Sequence, residues 1–85
     1  MPAYSVGTTS QKIYSRVSGY VIDFIVQNLS ANNVYMLTDM AQSVADGIKI
    51  VPNATLSKDG WIYDLILIAD GATSDVRVTL QVLRQ

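Results

Sequence analysis

Three Asp-Gly pairs, Asp46-Gly47, Asp59-Gly60 and Asp70-Gly71, punctuate this chain, and the stretches around them alternate apolar and polar residues with a period of two. Asp-Gly supplies the positive φ angles of tight turns at little steric cost. Period-two alternation is the pattern of a strand with one buried face. Together they predict short antiparallel strands joined by tight turns, and an all-β fold.

Read from the N-terminus, the strands fall at roughly ten-residue spacing. Met1 to Ser10 is small and polar, with Tyr4 and Val6 able to form a short strand, and Gln11 to Arg16 alternates. Gly19 to Gln27 is the first strong strand, with Tyr20, Ile22, Phe24 and Val26 on one face and Val21, Asp23, Ile25 and Gln27 on the other. Asn28 to Asn33 is a turn, and Val34 to Thr38 returns from it as a hairpin. Asp39 to Asp46 reads as a loop with one short helical turn capped by Asp39. Ile48 to Val51 is a strand stopped by Pro52, and Ala54 to Lys58 a strand ending at the Asp59-Gly60 turn. Trp61 to Ala69 and Asp75 to Leu83 close the chain across an Asp70–Ser74 turn. The expected fold is a small antiparallel β-sandwich or barrel of six to seven strands. Residues 1–15 form an N-terminal arm or first edge strand and residues 16–85 the sandwich domain. The expected core is Tyr20, Ile22, Phe24 and Val26 against Trp61, Tyr63, Leu65 and Leu67 and against Val76, Val78, Leu80 and Val82.

Chemistry is constrained by what the chain lacks. It has no His or Cys, and all seven acidic residues are Asp. Nucleophilic catalysis would need Ser-Lys or Thr activation, and the Ser10-Gln11-Lys12 pair lies in an expected strand without a supporting context. Asp39, Asp46, Asp59, Asp70 and Asp75 fall at turns, whose chemistry accounts for them. The Asp70 and Asp75 pair lacks the register and terminal Glu of an EF-hand loop. No catalytic residue, cofactor or metal site is expected, and the chain reads as non-enzymatic. The six basic residues are spread evenly, without a patch to track phosphates, so no nucleic-acid partner is expected. Met1 leads into a polar segment without the marks of a signal peptide. The longest apolar stretch, Val17 to Leu29, contains Asp23 and is too short to span a bilayer, so no membrane partner is expected.

Half the residues are hydrophobic and 15% are charged, against roughly 25% in typical soluble domains. A domain this small has little core in which to place that apolar content. Asp23 and Asp64 each interrupt an apolar strand face. The candidate interface is therefore the face carrying Val21, Asp23, Ile25, Ile62, Asp64, Ile66 and Ile68, covered by another subunit or a larger partner. The alternative surface is an aromatic one. Trp61 follows a turn, and with Tyr63 it is the candidate platform for stacking a sugar.

One resemblance bears on function. Ile25-Val26-Gln27-Asn28-Leu29-Ser30 followed by Asn33-Val34-Tyr35-Met36, then Gly47-Ile48-Lys49-Ile50-Val51-Pro52-Asn53, then Tyr63 to Ile68 and Asp75-Val76-Arg77-Val78, resembles in order a pattern in small structural proteins of tailed bacteriophages. Asn53 stands where that pattern has Gly, and Asn also tolerates the left-handed conformation. The resemblance implies a β-sandwich of the virion, made in the host cytoplasm, that decorates heads or builds fibres and tails. It implies partners in copies of itself, with a trimer preferred, and in a major capsid or tail protein. The alternative is a carbohydrate-binding or host-attachment module.

Overall fold

The computed structural model describes residues 3–71 and 74–85. Eight strands run in chain order as β1 (Ala3–Val6), β2 (Gln11–Tyr14), β3 (Tyr20–Asn28), β4 (Val34–Leu37), β5 (Ile48–Ile50), β6 (Thr55–Trp61), β7 (Leu65–Ala69) and β8 (Ser74–Arg84). One turn of 3-10 helix, Val44–Asp46, lies between β4 and β5. The fold is all-β, two four-stranded antiparallel sheets packed as a sandwich; the strands number eight rather than six or seven because Ala3–Val6 is a full strand. Ala3–Val6 and Gln11–Tyr14 each supply an edge strand, one to each sheet, and Val6 is fully buried.

The order is β1-β8-β3-β6 in the first sheet and β2-β7-β4-β5 in the second. Each strand of one sheet has a sequence neighbour at the same position in the other: β1 with β2, β8 with β7, β3 with β4, β6 with β5. This is the strand order of an eight-stranded jelly roll. Only the β4–β5 connection stays within a sheet; the others cross between sheets. The expected hairpin of Gly19–Gln27 with Val34–Thr38 is therefore an arch, with β3 and β4 in opposite sheets.

The Asp-Gly pairs serve this weave differently from hairpin turns. Gly60 alone of their three glycines has a positive φ, and it lies inside β6. Phe24 pairs with Lys58 while Ile22 pairs with Trp61, so Asp59 and Gly60 together oppose Asp23 as a bulge. The expected turn at Asp59-Gly60 is thus corrected to a bulge, and the turn comes later, between Trp61 and Leu65. The long strand expected over Trp61 to Ala69 is split by that turn.

The core follows from the alternation of β3. Ile22, Phe24 and Val26 are buried, together with Val76, Val78, Leu65, Leu67, Val34, Met36 and Ile50. Tyr20, Tyr63 and Val82, expected in the core, are exposed, and Trp61 and Leu80 only pack at its margin. They lie toward the end of the first sheet where β3 and the turn before β7 begin and β8 finishes. β7 is buried on both faces. Leu65, Leu67 and Ala69 face the first sheet, while Ile66 and Ile68 face outward into a second cluster with Leu37, Tyr35 and Val44. The β4–β5 connection makes that cover. It passes so close over β4 that a Cβ on Gly47 would lie 2.8 Å from Leu37 Cδ2 and 2.9 Å from Tyr35 Cβ.

Candidate interaction surfaces

Six of the seven carboxylates are engaged in contacts within the protein. Asp64 Oδ1 accepts the Arg16 backbone N–H at 2.6 Å, and its Oδ2 lies 3.5 Å from Lys12 Nζ. It ties the β2–β3 connection to the β6–β7 turn. The Arg16 N–H bond, helped by the nearby charges of Lys12 and Arg16, holds the carboxyl below the ordinary aspartate value against a partial desolvation that opposes it. Asp23 Oδ1 accepts the Gly60 N–H at 2.9 Å, across the bulge. Asp39 Oδ1 accepts the Ala41 N–H and closes its own turn, while Asp46 Oδ2 accepts the Ser43 N–H at the start of the 3-10 helix. The helical turn therefore begins at Ser43 rather than at Asp39. Asp70 accepts from the backbone and side-chain N–H groups of Asn33, and Asp75 pairs with Arg77. Among the described residues no group of three or more acidic side chains converges.

The seven residues expected to share one interface are divided among three places. Val21, Asp23 and Ile25 lie on the outer face of the first sheet, where register sets them beside Leu83, Gln81 and Thr79 of β8. That face is mostly polar, with Ile25 its large exposed apolar side chain at 40% exposure. Ile66 and Ile68 are on the outer face of the second sheet and are buried under the β4–β5 connection. Ile62 and Asp64 lie in the β6–β7 turn. A single apolar face across these residues does not exist, because β3 and β7 belong to different sheets and the chain covers β7 itself.

Trp61 and Tyr63 are adjacent, with ring centroids 5.2 Å apart at 72°. The indole also meets Phe24 edge-on at 5.6 Å, and its Nε1–H donates to the Asp64 carbonyl. These contacts make Trp61 a plug at the open end of the core. Tyr63 is the exposed member, at 49%. Strand register puts Val17, Tyr20, Ile62 and Val82 at the same end of the first sheet, where half of the ten exposed large hydrophobics of the described residues therefore fall. Tyr20 pairs with Arg84, which sets Val82 diagonally beside it on the same face. An open groove beside β1 is lined by Ala3, Tyr4, Ser5 and Asp75.

The opposite end is knit by a residue that the sequence reading passed over as part of a turn. Asn28 is fully buried, and its Nδ2 donates to the carbonyls of Asn32 and Ile50 while its Oδ1 accepts from the Ser30 N–H and hydroxyl. Its backbone bonds Ala54 and Asn53, the latter at φ 66°. One side chain thus joins the β3–β4 arch to β5. The signal was present in the density of Asn and Ser over Asn28 to Asn33, but spacing alone does not say which of them turns inward.

Against known protein families, curated proteins and solved structures, the chain finds no match.

Proposed function

We propose that this protein is a non-enzymatic structural component of a virus particle, a capsid decoration or fibre and tail protein that acts through repeated contacts with copies of itself and with a major capsid or tail protein. The observation that carries the reading is the jelly-roll strand order, an architecture that serves viral capsid proteins as well as lectins and cupins. Fold alone does not assign function, and the motif order from Asn28 to Val82 adds the preference for a phage structural protein. The allocation of carboxylates supports it too, since six of the seven aspartates are engaged within the protein by hydrogen bonds or an ion pair. The apolar end around Tyr20, Tyr63 and Val82 offers a contact of the kind that marks protein interfaces. A homo-oligomer, with a trimer preferred, follows from the same reading.

Immunogold labelling with antibodies to the chain tests it. Label on particles released from the source organism supports the reading; label confined to the cell body, with none on particles, overturns it. A glycan array separates the carbohydrate-binding alternative. Binding abolished by Tyr63→Ala would favour that module, whereas an array without signal leaves the aromatic end to protein contacts.

A further inference from the structure

The three Asp-Gly bonds are chemically vulnerable, because a glycine nitrogen is unhindered in attacking the preceding aspartate side chain. The structure treats them unequally. Asp46 has its carboxylate on the Ser43 N–H, and the Gly47 N–H donates to the Val44 carbonyl. Asp70 has both oxygens on Asn33. Asp59 is exposed, and its carboxylate makes no hydrogen bond or ion pair with any described residue. At that bond it is the nucleophile that is held: the Gly60 N–H donates to Asp23 Oδ1 at 2.9 Å, within a bulge where Gly60 sits at φ 65°.

We propose that Asp59–Gly60 is a site of spontaneous aspartate isomerisation in this protein, and that Asp23 is the positioning residue that sets its rate by holding the Gly60 amide away from the Asp59 side chain. In the reaction the Gly60 nitrogen gives up its proton and bonds to Cγ of Asp59, closing a five-membered imide, and the carboxyl hydroxyl leaves as water. Water then reopens the ring. Attack at Cγ restores aspartate; attack at the main-chain carbonyl leaves the backbone running through Cβ and Cγ. One water is lost and one regained, so mass and charge are unchanged and no oxidant or reductant takes part. The product adds a methylene to the backbone of β6 where that strand already carries an extra residue, between the Phe24–Lys58 and Ile22–Trp61 pairs. The consequence is a shift of Trp61 from its edge contact with Phe24.

The experiment ages the full-length chain at neutral pH and body temperature for several weeks and reads isoaspartate at each Asp-Gly bond by peptide mapping. It compares wild type, Asp23→Ala, Asp23→Asn, and an unstructured peptide spanning residues 57–63. Wild type is expected to isomerise at Asp59 more slowly than the peptide. Asp23→Ala should speed conversion at Asp59 by about tenfold, the rate equivalent of losing one hydrogen bond to a charged group, with Asp46 and Asp70 unchanged. Asp23→Asn, which keeps an acceptor oxygen, should fall between the two. Conversion of wild type at the peptide rate would overturn the proposal. So would an Asp23→Ala rate at Asp59 equal to wild type. Equal acceleration at all three bonds would mean general loosening, and would overturn the assignment of the lock to Asp23.

Discussion

Two residues whose neighbours leave no latitude are Asn28 and Gly47. Asn28 uses both its amide hydrogens and its oxygen inside the protein, bonding two carbonyls and the Ser30 N–H and hydroxyl. Truncating it strands buried acceptors, each costing about 1–3 kcal/mol when left unpaired. Asn28→Ala should therefore lower the free energy of unfolding by about 2–3 kcal/mol in urea titrations, with an unchanged denaturant slope. Asn28→Asp should cost at least as much, since its carboxylate would face two carbonyl oxygens with no hydrogen to offer. At Gly47 the backbone is ordinary, at φ −89°, and the constraint is space. A methyl there meets Leu37 and Tyr35 inside 3.0 Å. Gly47→Ala should destabilise by about 1–3 kcal/mol, as overpacking does, despite its better backbone entropy. Neither role is legible from composition. A buried asparagine and a surface one have the same letter, and a glycine needed for close approach looks like a glycine needed for a turn.

At the scale of the element, β3 was the most legible. Its alternation selected Ile22, Phe24 and Val26 as core, and Phe24→Ala should cost about 3–5 kcal/mol, close to the whole stability of a small domain. The stretch from Trp61 to Ala69 was the least legible, for a physical reason. It is continuously apolar, and a run buried on both faces carries no period to show where a turn divides it or which face meets which sheet. Ile66 makes the difference testable. It is fully buried beneath Val44 and Leu37, so Ile66→Lys should unfold the protein rather than spare the fold and disturb only assembly, as a one-faced strand would predict. The turn that divides the run is held by Asp64. Its pKa is lowered in the folded state, so its contribution is present in full above the ordinary value of 3.8 and is lost as pH falls through the lower folded value. Acid titration of Trp61 fluorescence should show a transition in that range, and Asp64→Asn should remove its pH dependence because Arg16 and Lys12 then face a neutral amide.

For the whole molecule, the sequence carried the fold class but not the topology. Turn signals say where a strand stops; they do not say whether the next strand pairs with it or crosses to the facing sheet, and here all but one connection cross. That crossing decides which surfaces are left for contact. The sheet edges are poor templates for association. β1 has four residues and β5 three, β5 is followed within two residues by Pro52, β2 has an irregular register, and β6 carries the Gly60 bulge with Lys58 opposite the inward Phe24. Short, bulged or inward-charged edges resist pairing with another chain. The outer face of the second sheet is covered by its own chain, and that of the first is mostly polar around Ile25. Of the ten exposed large hydrophobics among the described residues, five, Tyr20, Val82, Tyr63, Ile62 and Val17, fall at one end of the first sheet, while Ile25, Leu29, Met40, Ile48 and Val51 lie elsewhere. If copies of this protein associate, that end should carry the contact. Covering a few hundred Å² of apolar surface at about 25 cal/mol per Å² contributes several kcal/mol per copy, enough to hold an oligomer together. Light scattering on the eluting protein at micromolar concentration should report a mass above the monomer. Val82→Lys should return it to monomer with the Trp61 emission of the wild type, because Val82 is 46% exposed and outside the buried core. Ile25→Lys, on the polar outer face, should leave the oligomer in place. Dissociation by Ile25→Lys with Val82→Lys silent would move the interface to the first sheet's outer face, and a monomeric wild type would remove the end-on contact altogether.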